Sequence, residues 1–111
     1  PPLFRYVASH QLQTNTDRMA SDMQYARSVA ISDGQTISFA ATGSGYTATN
    51  LISGQVIRDV DFDEGLALEA DTTVRLYPWG MADDAVFSLS SAAGTYQLSL
   101  LPTGIVEVAI Q

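Results

Sequence analysis

Cysteine is absent from the 111 residues, which excludes disulfides, thiolate metal sites and cysteine nucleophiles. Lysine is absent too. All five basic residues are arginine: Arg5, Arg18, Arg27, Arg58 and Arg75. Against them stand 12 acidic residues, for a formal net charge of -7. Such a chain repels phosphate backbones and anionic membranes, so sequence-independent nucleic-acid binding is disfavoured. No apolar run approaches the roughly 18 residues that cross a bilayer. Only 15% of residues are charged, while 46% are hydrophobic, which is the composition of a folding chain. The length suits one domain, able to bury about two thirds of its unfolded surface.

Glycine is missing from residues 1–33, and all eight glycines fall between Gly34 and Gly104. That contrast divides the chain into a helix over 1–33 and a β-rich head over 34–111, together one domain. The helix reads from about Leu3 to Ser32. Leu12, Met19, Met23, Ala26 and Ala30 fall on one narrow stripe at about 100° per residue. This stripe is expected to pack on the head. His10, Asp17, Ser21 and Ser28 lie opposite. Gly34 after Asp33 is a stop signal. Leu3, Phe4 and Val7 occupy another face, and Pro1-Pro2 start the chain abruptly, as if cut or processed.

From Gln35 the glycines punctuate short strands. Thr36–Ala41 and Tyr46–Asn50 flank Thr42-Gly43-Ser44-Gly45 as a hairpin. Val56–Phe62 alternates, with Val56, Arg58, Val60 and Phe62 on one face. Thr73–Tyr77, Ala85–Ser90, Tyr96–Leu101 and Ile105–Ile110 complete the set, the last two joined through Pro102-Thr103-Gly104. One helix followed by five to seven strands is an α+β chain with an antiparallel sheet or sandwich.

Little in the sequence carries chemistry. His10 is the only histidine, on the polar face of the helix, and a solvated surface histidine accounts for it. No serine sits in the strand-to-helix elbow that nucleophilic catalysis uses, so no catalytic residue is assigned and the chain is not read as an enzyme. Asp59, Asp61, Asp63 and Glu64 put four carboxylates in six residues and could hold calcium. Their spacing departs from a calcium loop, however, and a strand with a wet acidic edge explains them as well. Tyr77 is read as a ring capping the core. Trp79, within the turn, is a possible exposed contact for a sugar or a protein. No cofactor is implied.

Residues Leu12 to Thr36 read LQTNTDRMASDMQYARSVAISDGQT. Asp22 to Ile31 within them resemble the helix motif of the GspH/FimT family of minor pilins and pseudopilins, a pattern of the form D/N-LQ-x-AR-S-x-A-I. Val74-Arg75-Leu76-Tyr77-Pro78-Trp79-Gly80 is similar to the family's strand followed by aromatic-Pro-x-Gly. Leu101 to Val108 is similar to its closing hairpin. The resemblance covers nearly the whole chain. It implies a type IV pilin-like ladle, with one long helix laid on a β-sheet head. It also implies an inner-membrane segment ahead of the helix, trimmed by a prepilin peptidase, and a periplasmic head. On this view Leu3, Phe4 and Val7 are an assembly surface, and the partners are other pilins or pseudopilins. The protein would help initiate or cap a type IV pilus or a type II secretion pseudopilus, at or near the tip. A filament-tip binding module, taking up DNA or holding a surface ligand, is the alternative. Ile105 and Glu107 stand where DNA-binding relatives carry basic residues, which weighs against nucleic acid as a partner.

Overall fold

The computed structural model describes the backbone of residues 2–111 and the side chains from Val7 onward. Helix α1 runs Pro2–Asp33, and its 32 residues span about 48 Å, close to the 50 Å long axis of the molecule. Leu12, Met19, Met23, Ala26 and Ala30 are all buried. His10, Asp17, Ser21 and Ser28 are exposed. The small Ala26 and Ala30 allow the helix axis to approach the strands closely, while Leu12, Met19 and Met23 each contribute roughly 1.5–3 kcal/mol of burial. The buried stripe is not purely apolar, because Asn15 and Thr16 are as buried as Leu12. Thr16 satisfies its hydroxyl on the Leu12 carbonyl oxygen at 2.8 Å. The helix stops where Gly34 adopts a φ of 66° and the Gln35 amide donates to the Ala30 carbonyl oxygen, a left-handed cap closing the last turn.

Eight strands follow, all paired antiparallel. In the first sheet β1 (Ile37–Thr42), β2 (Gly45–Asn50), β3 (Val56–Asp61) and β5 (Thr72–Leu76) lie in the order β3-β2-β1-β5. In the second, β4 (Ala67–Leu68), β6 (Ala85–Ser91), β7 (Gly94–Leu100) and β8 (Val106–Ile110) lie in the order β4-β6-β7-β8. The fold is therefore α+β, with one helix on two four-stranded sheets. The alternating inward residues Ile37, Phe39 and Ala41 of β1, Val74 and Leu76 of β5, and Leu98 and Leu100 of β7 meet the helix stripe in one core. Phe39 stacks on Tyr46 at 5.0 Å and meets Phe87 edge-on.

Two strand expectations need correction. Strand β4 carries no sequence signal, because two residues are too few to display a period of two. The regular alternation expected along Val56–Phe62 is broken. The β2–β3 register shifts between Ala48 and Thr49, so Arg58 pairs with Ala48 and Val56 with Thr49. Ile57 is the extra residue of this bulge. It turns toward the core while Val56 is 54% exposed.

Candidate functional site

Along α1 the side chains that matter fall into three levels. The lowest is where the stem leaves the head. Val7 is 47% exposed there, and Val7, Ala8 and Gln11 face Glu64, Gly65, Leu66, Ser91 and Ala92 across an open groove of about 440 Å³. Leu3 and Phe4, the other expected assembly residues, lie outside the described side chains.

One turn further on, Asn15 joins the helix to the loop after β3. Its Nδ2 donates to the Gln11 carbonyl oxygen at 2.7 Å and to Asp63 Oδ2 at 2.8 Å. Its Oδ1 accepts from Arg18 at 2.8 Å and from the Asp63 amide at 3.3 Å. A buried amide with both ends satisfied is a specific fastening, since any shift of the loop would strand a polar atom. This accounts for Asp63 without calcium. Among the described residues, no three His, Cys, Asp or Glu side chains gather where a metal could bind. The structure does not gather Asp59, Asp61, Asp63 and Glu64, the calcium candidates, into one such group. Asp59 and Asp61 are exposed on β3, while Asp63 is spent on Asn15.

The middle level centres on Asp22. Tyr46 donates its hydroxyl to Asp22 Oδ2 at 2.6 Å, and Arg58 Nε donates to Oδ1 at 3.1 Å. The Arg58 guanidinium also lies 3.9 Å from the centre of the Tyr25 ring. Burial, then the hydrogen bond to Asp22, push the Tyr46 hydroxyl well above the ordinary tyrosine range. The pair binds α1 to β2 and β3.

The upper level is built on Arg27. Its Nε donates to the Gly80 carbonyl oxygen at 2.8 Å. Gly80 ends the turn Tyr77-Pro78-Trp79-Gly80, where the Gly80 amide donates to the Tyr77 carbonyl oxygen. Gly104 ends the similar turn Leu101-Pro102-Thr103-Gly104. Both glycines are buried, and a side chain at Gly104 would collide with Arg27 and with the Gly80 carbonyl. One arginine of the helix therefore braces two turns of the head. Tyr77 does not cap the core as expected. It stacks on Trp79 with centroids 4.8 Å apart and planes 7° apart, and donates its hydroxyl to Asp83 at 2.7 Å. Trp79 is 68% exposed.

A family model described as type II transport protein GspH matches residues 15–106, which takes in Asn15, Asp22 and Arg27 and their partners in the head but not Val7, Ala8 and Gln11. The chain belongs to the GspH family. No curated protein matches the sequence. Among solved structures, this GspH-family chain is similar to the type IV minor pilin FimU of Pseudomonas aeruginosa. Identity is 21%, 94% of this chain and 92% of that chain are covered, and the TM-score is 0.73. It is also similar to EpsH, a minor pseudopilin of the Type 2 Secretion System of Vibrio cholerae. There the identity is 12%, the coverage 90% and 97%, and the TM-score 0.69. A pilus protein and a secretion protein thus share its fold, so the fold alone does not divide the two systems.

Asn15 and Tyr46 escaped the sequence reading because each works through a partner far along the chain. Asp22, Arg27 and the two glycines had a signal, since all four lie in the segments that carry the family resemblance.

Proposed function

We propose that this protein is a minor, structural subunit of a type IV pilus or type II secretion pseudopilus that helps start or cap assembly. The observation that carries the reading is the GspH match over residues 15–106, on a long helix whose Val7 is exposed beside the head. The subunit has no catalytic role. Among the described residues no helix is long and apolar enough to cross a membrane. Anchoring in the inner membrane is proposed to come from an apolar segment ahead of α1, as the family resemblance implies, with the head in the periplasm. Neighbouring pilins or pseudopilins would pack on the Leu3, Phe4 and Val7 face.

Incorporation tests this. The full-length protein carrying Val7→Asp, produced in the bacterium that encodes it, should enter sheared pili or pseudopili at least about ten-fold less than wild type while its head melts normally. Unchanged incorporation would remove the assembly role of this face. Nucleic acid is not an expected partner. In the head only Arg58 and Arg75 oppose nine carboxylates, and Arg58 is already paired with Asp22. An anisotropy titration with duplex DNA at about 150 mM salt should give a dissociation constant weaker than about 10⁻⁴ M. Low-micromolar binding lost in Arg75→Ala would favour a DNA-uptake receptor instead.

A further inference from the structure

We propose that the face around Arg27 docks a protein partner presenting one carboxylate between apolar side chains, and that this partner is a neighbouring pilin-like subunit. The choice of a subunit rests on the function proposed above; the chemistry of the face does not.

Arg27 is half-buried on the last turns of α1, and only its Nε is committed, to Gly80. Among the described residues no carboxylate pairs with it, whereas Arg58 has Asp22. Arg18 and Arg75 form no ion pair among the described residues either, so what distinguishes Arg27 is its fixed geometry. The remaining guanidinium donors form a planar fork suited to a carboxylate. They are also fixed in place. Gly104 approaches the Arg27 side chain with no room for a methyl group between them, and the Gly80 carbonyl oxygen accepts from its Nε. A partner therefore meets a side chain whose freedom is already restricted.

The surroundings suit a protein rather than a free anion. Arg27, Gln24, Gly104, Ile105 and Val106 line an open cleft of about 310 Å³. Ile105 is 56% exposed, Ile31 is 46% exposed, and Ile31 reaches the Gly80 turn next to Trp79. Trp79 is braced by its stack on Tyr77, which is in turn held by Asp83. A fixed arginine beside the exposed Ile105, bonded to the turn that carries the exposed Trp79, has the composition of an interface hot spot. Charge selects the occupant. Nucleic acid and anionic membranes meet the repulsion of the whole -7 surface, and so does a second copy. A single carboxylate on a near-neutral segment meets mainly the cation within about 8 Å, because salt screens the rest.

Trp79 is the only tryptophan, and it lies in the turn that Arg27 bonds through Gly80, so its emission reports on that turn. The probe is a blocked pentapeptide with a central glutamate between two leucines, set against its glutamine counterpart. The glutamate peptide should produce a saturable change with a dissociation constant of about 1 mM. The glutamine peptide should bind about ten-fold more weakly, the size of one charge-assisted hydrogen bond. Equal binding, or no binding of either up to about 10 mM, would overturn the proposal. In the bacterium that encodes the full-length protein, Ile105→Glu should lower incorporation at least about ten-fold more than Ile105→Lys, since it sets a carboxylate against the incoming one. Equal losses from both would indicate an apolar contact without the charge and overturn it, as would no loss from either. If Val7→Asp blocks incorporation while both Ile105 variants do not, the filament reading survives and this face fails. Self-association of the wild-type chain in sedimentation, abolished by Ile105→Glu, would assign the face to a second copy and also overturn the proposal.

Discussion

Arg27 on α1 and Gly80 in the head are joined by a hydrogen bond of 2.8 Å, and the turn ending at Gly104 closes on the same side chain. Two loops far apart in sequence are thereby referred to one point on the helix. The arrangement requires that Gly104 carry no side chain, both because of its φ of 86° and because of the space Arg27 and the Gly80 carbonyl occupy.

Gly104→Ala should therefore lose more stability than either effect alone. The positive φ accounts for about 1–2 kcal/mol, and the collision adds overpacking of about 1–3 kcal/mol. Gly34→Ala is the comparison. It has a similar φ, 66°, but nothing lies within 4 Å of the added carbon. It should lose only the first part. Urea denaturation of both variants checks this, and equal losses would mean that the Arg27 brace tolerates displacement.

The division into a long helix and a strand-rich head was legible because both depend on local pattern. The Leu12–Ala30 stripe repeats at the helical period, and glycine is confined to the second part. What fastens the two was not legible. The partners of Asn15 and Tyr46 lie 48 and 24 residues away, and no local period announces such a pair. Asn15 and Thr16 are polar, so a reading that follows apolar spacing passes over them, yet both are buried on or beside the stripe. The acidic run along and just after β3 showed charge density but not direction. One of its carboxylates, Asp63, turns to the helix, and Asp59 and Asp61 turn to water.

Asn15→Ala should show what that turn is worth. The substitution removes the acceptor of the Asp63 amide and of Arg18, and the donor to Asp63 Oδ2, at a buried position. A loss of about 2–3 kcal/mol is expected, the range for leaving buried partners unsatisfied together with a small cavity. Hydrogen exchange should localise the effect: amides around 61–66 should exchange faster, while β6 and β7 change only through global stability. A loss below about 0.5 kcal/mol would show that water replaces the amide.

Calcium should have no effect. Asp63 is engaged by Asn15 and no group of three possible ligands gathers among the described residues, which is the basis of this expectation. The melting temperature in about 5 mM calcium should match that in excess chelator to within about 1 °C. Saturable stabilisation, which by linkage would reach roughly 2.7 kcal/mol at a hundred-fold excess over the dissociation constant, would reinstate the acidic run as a metal site.

Alkaline stability isolates the contact between Tyr46 and Asp22. With no lysine and no cysteine, the side chains that ionise between about pH 9 and 12 are tyrosines. Burial and then the Asp22 carboxylate raise Tyr46 in the folded state, whereas the unfolded chain ionises it near pH 10. Above that pH the unfolded state has lost a proton that the folded state retains, so stability falls as pH rises. The contribution is complete below about pH 10 and declines above it, at up to about 1.4 kcal/mol per pH unit for one proton. Tyr77 is raised as well, chiefly by its hydrogen bond to Asp83, but it is an accessible group and adds little. Tyr46→Phe should lower stability at pH 7 by about 1 kcal/mol, because Asp22 retains Arg58. The same variant should flatten the decline between pH 10 and 11.5. Urea midpoints for wild type and variant across that range measure it. Parallel declines would mean that Tyr46 ionises freely in the folded head and that its bond to Asp22 does not hold it neutral.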